Sequence, residues 1–306
     1  MAAPMFTATL LTDPSYPRLD PATVESLRHD WAGGEIRWLS PGEAAEFSVA
    51  GIPENRWQKW QGLQQLGIDL VLQPSLGRKK QLLIADMDST MIQQECIDEL
   101  ADEAGVWDRV SAITARAMNG ELDFEAALRQ RVHLLRGLPE TVIAHVLANR
   151  ISDMPGGATL IATMKANGGH AALVSGGFTA FTGPVAAHLG FDEHRANRLI
   201  LADGKLTGEV ANPILGRQAK VDALTEIASR LNLPLSQTMA VGDGANDLGM
   251  LQAAGTGVAL HAKPAVASQC DIRINYGDLT ALLYLQGYAR AEFIRPRLHE
   301  RLAKSV

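Results

Sequence analysis

The 306-residue sequence predicts an α/β protein: a doubly wound parallel sheet with an inserted helical cap and a small N-terminal α+β domain. Three observations carry this expectation. Continuous apolar runs at 82–85, 171–175, 237–242, 257–260 and 271–274 have the character of parallel strands buried on both faces. Helical patterns at 156–167, 178–189, 217–231 and 246–254 lie between them, and strands alternating with helices build a doubly wound sheet. Residues 95–149 break the alternation with four helical segments and no strand, at about 95–104, 107–118, 123–135 and 139–149, separated by Gly or Pro. An insertion after the first strand of such a sheet is placed to cap its C-terminal edge, where ligands bind.

The first 75 residues have a different rhythm. Phe6 to Thr12 reads as a strand, and 21–31 as a helix with Pro21 in its first turn and Gly33-Gly34 as its stop. Strands are expected at 35–39, 44–49 and 68–73, and a helix at 56–66. The polar, basic stretch 73–80 reads as a linker. Further on, 198–210 predicts a β-hairpin turning at Asp203-Gly204-Lys205, and the basic tail 295–304 a solvated amphipathic helix. A prior of about 150 residues per domain gives two domains. The division expected from the motifs is nevertheless 1–75 and 76–306, with the cap at about 92–152, because a cut at mid-chain would part Asp88 from Ser175.

Composition removes several function classes. With 46% hydrophobic and 20% charged residues the chain is too apolar for disorder, and 28 Gly with 5% aromatics favour α/β turns over a β-sandwich. A net charge of −6 argues against a nucleic-acid surface. Two cysteines, Cys96 and Cys270, make neither a disulfide framework nor a zinc pattern. No signal-like start and no stretch of about 20 apolar residues is seen, so a cytoplasmic protein with no membrane partner is expected.

Local chemistry lies at the strand ends. AspMetAspSerThr (86–90) follows the first apolar run, and carboxylates at i and i+2 of an extended chain, Asp86 and Asp88, share one side. Two such charges repel unless a cation binds or one stays protonated, and Mg²⁺ prefers hard oxygen ligands. GlyAspGlyAlaAsnAspLeu (242–248) follows another run; Gly242 and Gly244 are read as letting the chain turn sharply, with Asp243 and Asp247 flanking Asn246. One Asp-rich turn is as readily a cap, but two at parallel strand ends point to a shared metal. SerGlyGlyPhe (175–178) offers a hydroxyl and glycine N–H groups at a helix start, an anion site. Lys220 would be an ordinary solvated lysine unless a phosphate nearby needs a fixed cation.

In this order, DxDxT, Ser, Lys and GDGxND, the elements resemble the haloacid dehalogenase-like phosphohydrolases over roughly residues 81–275. The stretches 86–100, 118–135 and 195–199 are similar to that family's phosphoserine phosphatases. The resemblance implies Mg²⁺-dependent hydrolysis of O-phospho-L-serine, ending serine biosynthesis, through an aspartyl-phosphate. It implies Asp86 as nucleophile and Asp88 as the acid and then the base. Mg²⁺ would sit on Asp86, the Asp88 backbone carbonyl and Asp243, with Asp247 in support, so that four acidic residues gather around one cation. Ser175, Gly176, Lys220 and Asn246 would hold the phosphoryl group, with Arg217 as a rival cation to Lys220. Glu95 would receive the substrate ammonium and Arg131 its carboxylate, with Met118 and Phe124 closing over it. Met87 departs from the Phe of many relatives.

A phosphotransferase acting on an alcohol such as homoserine would share every catalytic residue, and a phosphatase for another small ester most of them. Intact Asp86, Asp88, Lys220 and Asp243 argue against a non-catalytic sensor, and no GxGxxG follows a first strand as a dinucleotide site requires. The β-α-β order of the N-terminal unit resembles small amino-acid-binding regulatory domains, but the glycine-rich ligand turn is not evident. Dimerisation or packing support is therefore preferred to serine sensing, and a homodimer is the assembly left open.

Overall fold

The computed structural model describes residues 5–296, so nearly all of the expected terminal helix at 295–304 lies outside the described residues. The N-terminal unit comprises β1 (Phe6–Leu11), α1 (Pro21–Asp30), β2 (Arg37–Ser40), β3 (Ala44–Val49), α2 (Arg56–Gln65) and β4 (Asp69–Pro74). Helix α1 begins where Asp20 caps it: its carboxylate accepts the Ala22 N–H at 3.3 Å, and Pro21 needs no acceptor. The strands form an antiparallel sheet in the order β2-β3-β1-β4, and the unit has the β-α-β-β-α-β order of the elements expected. Strand alternation sorts its two faces: Ala8 and Leu10 pack with Leu27, Trp31 and Phe47, whereas Leu11 and Val71 join the main core.

The second unit opens with β5 (Leu82–Ala85), and the four cap helices follow as expected: α3 (Cys96–Glu103), α4 (Trp107–Met118), α5 (Phe124–Leu134) and α6 (Thr141–Asn149). Then come α7 (Gly157–Ala166), β6 (His170–Phe178), α8 (Thr179–Leu189), β7 (Glu193–Asn197), the hairpin β8 (Leu199–Ala202) and β9 (Lys205–Val210), and α9 (Arg217–Arg230). The chain continues with β10 (Thr238–Gly242), α10 (Leu248–Ala253), β11 (Thr256–Leu260), α11 (Pro264–Ala267), β12 (Ile272–Ile274) and α12 (Ala281–Leu285). Six strands pair in parallel in the order β12-β11-β10-β5-β6-β7.

Burial on both faces explains the unbroken apolar runs. Leu82, Ile84, Val174 and Ala240 pack under α9 and α10 with Leu224, Ile227 and Leu251, while Leu83, Ala85, Leu173 and Val241 pack under Leu160, Phe181 and Leu283. The short helices α11 and α12 were not expected, and two strands depart from the sequence reading. Strand β7, GluHisArgAlaAsn, carried no apolar run because it is a sheet edge. Strand β6 runs on to Phe178, through the SerGlyGlyPhe motif, rather than ending at Ser175.

The chain moves from β5 outward to β6 and β7, then returns to β10 on the other side of β5. The order of strands reverses there, and in open α/β sheets ligands bind in the crevice outside that point. Asp86 follows β5 and Asp243 follows β10, so the topology delivers both to one place.

The stretch 73–80 connects the units, but it is no loose tether. Gln73 Nε2 and Arg78 Nε donate to the Leu285 carbonyl at 2.8 and 2.9 Å, and Arg78 pairs with Glu46 at 2.5 Å. Glu43, itself buried, accepts the Tyr284 hydroxyl at 2.8 Å and pairs with Arg290. Asp69, fully buried, accepts the N–H groups of Asn275, Tyr276 and Gly277, each at 2.9 Å. Asp69→Ala leaves these donors without an acceptor and should lower the unfolding free energy by about 3 kcal/mol. Urea denaturation checks this; an unchanged midpoint would show that the anchor lies elsewhere. Among the described residues no helix is long and apolar enough to cross a membrane.

Candidate active site

One pocket lies between the sheet's C-terminal edge and the cap. Asp86, Asp88, Ser175, Gly176, Asp243 and Asn246 line it from the sheet, and Glu95, Met118, Phe124 and Arg131 from the cap. Lys220 and Asp247 lie buried behind the sheet residues. The structure therefore assembles residues that span positions 86 to 247 of the chain.

Asp86, Asp243 and Asp247 are buried, and each presents a carboxylate oxygen within 4.8 Å of the other two. Lys220 Nζ donates to Asp247 Oδ1 at 2.6 Å and contacts Asp86 Oδ1 at 2.8 Å. Arg217, the rival cation, is exposed at the start of α9. Burial, then repulsion from Asp247, drives the Asp86 carboxyl well above its ordinary pKa, with Lys220 opposing. The same two causes push Asp243 up to about 7. Burial lowers the Lys220 pKa, but Asp247 and Asp86 outweigh it and raise the pKa above its ordinary value.

One buried lysine, with the half-exposed Lys263 3.7 Å from Asp243, does not balance three buried carboxylates, and the imbalance fits a divalent cation. Among the described residues Asp243 Oδ2 is buried without a hydrogen-bond partner, as is Asn246 Oδ1. Unpartnered buried oxygens beside a hard-oxygen cluster are what a metal ion satisfies. Asp88 does not join the cluster; its Oδ1 accepts the Cys96 N–H at 2.8 Å and its Oδ2 the Ser175 hydroxyl at 3.3 Å. Among the described residues three acidic side chains gather; the fourth, Asp88, is held by the first N–H of α3, and the ligand expected of it is its backbone carbonyl. Burial is also what raises the Asp88 carboxyl above its ordinary range.

The glycines of the second motif serve a different end from the sharp turn expected of them. A Cβ at Gly242 would sit 2.4 Å from Asp247 Cγ, and one at Gly244 2.5 Å from Asn246 Oδ1. Neither glycine has a positive φ; what they provide is room for Asp247 and Asn246 to fold back against the strand end. Asp247 Oδ2 accordingly accepts the Gly244 N–H at 3.1 Å. In the anion motif, the Gly177 N–H is already given to Ser175 Oγ at 2.8 Å.

The cap supplies the remaining charges. Glu95 precedes α3 and accepts the Ser89 hydroxyl at 2.8 Å. Burial, then the nearby Asp88, raises it to about 8. Arg131 on α5 is buried rather than solvated, and burial lowers its pKa. Ala245 N–H donates to the Met118 carbonyl at 3.0 Å, tying the end of α4 to the second Asp motif.

Several site residues escaped the sequence reading. Thr90 donates to Asp243 Oδ1 at 3.3 Å; it stood in the DxDxT motif without a role. Lys263, 3.7 Å from Asp243, carried no signal at all. Ile97, Leu128, Gly177 and Phe178 also line the pocket, and only their place beside motif residues or on cap helices could have marked them.

Comparison with known proteins places the chain. The phosphoserine phosphatase of Streptomyces coelicolor is 44% identical over 256 residues, 82% of this chain and 62% of that protein. The chain spans about half to two thirds of the first curated relatives it matches, 62%, 52% and 65% of their lengths. A crystal structure of a HAD family hydrolase from Salmonella enterica serovar Typhi superposes with a TM-score of 0.81 at 32% identity, covering 92% of this chain and 98% of that one. A structure described as a phospho-aspartyl intermediate analogue of phosphoserine phosphatase has a TM-score of 0.65 at 43% identity, covering 67% of this chain and 98% of that one. The model of the haloacid dehalogenase-like hydrolases matches residues 83–252, more than half of the chain and every sheet residue of the site, and the chain belongs to that family.

Proposed function

We propose that the chain hydrolyses O-phospho-L-serine to L-serine and phosphate, with Mg²⁺ as its cofactor and Asp86 as the group that becomes phosphorylated. The observation that carries this reading is the charge layout of one pocket. A carboxylate cluster with a buried lysine stands on the sheet side, and one acid and one unpaired guanidinium stand on the cap side. The first suits a metal-bound phosphoryl group; the second suits the ammonium and carboxylate of an amino acid. The relatives named above as phosphoserine phosphatases support the same substrate.

Asp86 attacks phosphorus, and the bond to the serine oxygen breaks. Asp88, whose hold on a proton is strengthened by burial, gives a proton to that oxygen, and then as a carboxylate takes one from the water that hydrolyses the acyl phosphate. Lys220 holds phosphoryl charge beside Asp86, aided by Ser175, the Gly176 N–H and Asn246. Asp86, the Asp88 carbonyl and Asp243 would hold the cation, with Asp247 steadying Lys220. When bound, Mg²⁺ would neutralise the carboxylates and offset phosphoryl charge. Met118 and Phe124 exclude water from the closed pocket. The reading includes a division near residue 75, with the N-terminal unit as packing support, and a cytoplasmic setting in which Cys96 and Cys270 stay reduced, as free buried thiols do.

Phosphate release from L-phosphoserine, D-phosphoserine, phosphothreonine and a sugar phosphate, with Mg²⁺ and with chelator, tests the proposal. L-phosphoserine should be preferred and chelator should abolish turnover; equal rates across the panel would reject the substrate, and turnover in chelator the cation.

The raised Glu95 adds a pH signature. Below about 8 the free enzyme holds a proton on Glu95 that must leave before an ammonium can pair with it. The kcat/KM for phosphoserine should therefore climb with pH toward 8, by up to about tenfold per unit. Glu95→Gln should raise KM and flatten that climb; a variant with the wild-type slope would free Glu95 of the role.

A further inference from the structure

We infer that Thr114, backed by Asp98, is a positioning pair that holds the Arg131 guanidinium open for the substrate carboxylate and so sets the preference for an amino-acid phosphate. The inference rests on the proposed reading of Arg131 as the carboxylate-binding group.

Arg131 is 2% exposed and lines the pocket. A guanidinium has five N–H donors. Nε donates to the Ala127 carbonyl at 3.2 Å and Nη1 to Thr114 Oγ1 at 3.1 Å, and among the described residues no carboxylate oxygen comes within the 4.0 Å of an ion pair. Three donors are thus left for a ligand. A buried arginine without an acidic partner is costly, so something must stabilise its charge while leaving its fork free.

Thr114 meets both needs. It is 3% exposed on α4, and its hydroxyl donates to Asp98 Oδ1 on α3 at 2.7 Å. The Val110 carbonyl lies within reach at 3.1 Å, but the hydroxyl has one proton, and the closer, charged acceptor takes it. The oxygen's lone pairs are then committed to Arg131. Asp98 polarises the hydroxyl, and the hydroxyl stabilises the guanidinium. A direct Asp98–Arg131 pair would instead consume the bidentate face that a substrate carboxylate needs. The two contacts join α3 to α4 and α4 to α5 through the one Thr114 hydroxyl.

The readout is the ratio of kcat/KM for phosphoserine to that for O-phosphoethanolamine, which lacks only the carboxylate. Thr114→Val keeps the side-chain shape but removes the acceptor, and should lower the ratio by about tenfold to a hundredfold, chiefly through the phosphoserine KM. Thr114→Ser should restore the ratio to within about twofold of wild type, because the hydroxyl returns. Asp98 is half-buried, and Asp98→Asn should lower the ratio several-fold without emptying the site. A wild-type ratio in Thr114→Val or in Asp98→Asn would overturn the inference. Arg131→Lys separates the two readings. If it leaves the ratio unchanged, the carboxylate role of Arg131 is wrong; if it collapses the ratio while Thr114→Val does not, only the positioning role is wrong.

Discussion

Asp86→Asn is expected to reduce phosphate release by about four orders of magnitude or more while the protein stays folded. The amide keeps the shape and one oxygen but has no charge with which to attack phosphorus. The fold should not suffer. Asp86 lies within 4.8 Å of Asp243 and Asp247, and burial with Asp247's repulsion already holds its carboxyl well above the ordinary pKa, so the folded state disfavours its negative charge. A carboxyl whose folded pKa is raised contributes stability that is lost as pH rises through it, and the neutral amide escapes that loss. Near pH 7 without divalent cation, the variant should melt at the same or a higher temperature than wild type, since Lys220 keeps Asp247 at 2.6 Å. With Mg²⁺ the order should reverse, because wild type retains the fuller carboxylate cluster and gains more from binding. Phosphate release, thermal melting with and without Mg²⁺, and acid quenching for a phosphorylated protein check the three parts. Near-wild-type turnover in a clean preparation would remove Asp86 as nucleophile.

Such a prediction could be framed from sequence because the chemistry sits where period and topology speak together. Leu82 to Ala85 had to be buried on both faces, so Asp86 had to stand at the end of a central strand. The cap was legible because four helical segments in succession cannot be read as strands, and their observed ends fall within two residues of those expected. What stayed hidden depends on contacts that no local pattern encodes. No local pattern shows that the Asp88 carboxylate is held by an amide eight residues on, at Cys96. Gly242 and Gly244 looked like turn formers, and only the folded positions of Asp247 and Asn246 reveal them as clearance. Strand β7 is mostly polar, at a sheet edge where burial imposes no apolar run. Glu95 and Arg131 were assigned by resemblance alone; 36 positions apart, they line one pocket because α3 and α5 pack in the same cap. The stretch 73–80 read as a linker because its polar side chains bond to residues more than 200 positions away.

Lys220→Met should damage stability and turnover together, for one electrostatic reason. Lys220 is 0% exposed and is the cation in contact with both Asp86 and Asp247. Methionine fills most of its volume, so packing is nearly preserved, but the carboxylates are left buried without that charge. Removing one partner of a buried ion pair costs about 3–5 kcal/mol, and that loss should appear in urea denaturation without divalent cation. Mg²⁺ should return more of the stability to the variant than it adds to wild type, since a cation at the carboxylate cluster replaces part of the missing charge. Turnover should stay at least about a hundredfold down even at saturating Mg²⁺, because a second cation fixed beside Asp86 is needed where phosphoryl charge develops. The double variant Lys220→Met, Asp247→Asn separates the two effects. Taking away the unpaired acid should recover at least about 1 kcal/mol of the lost stability and none of the activity. Recovery of turnover in the double variant would mean that Lys220 serves only to neutralise Asp247, and the phosphoryl contact would have to be reassigned.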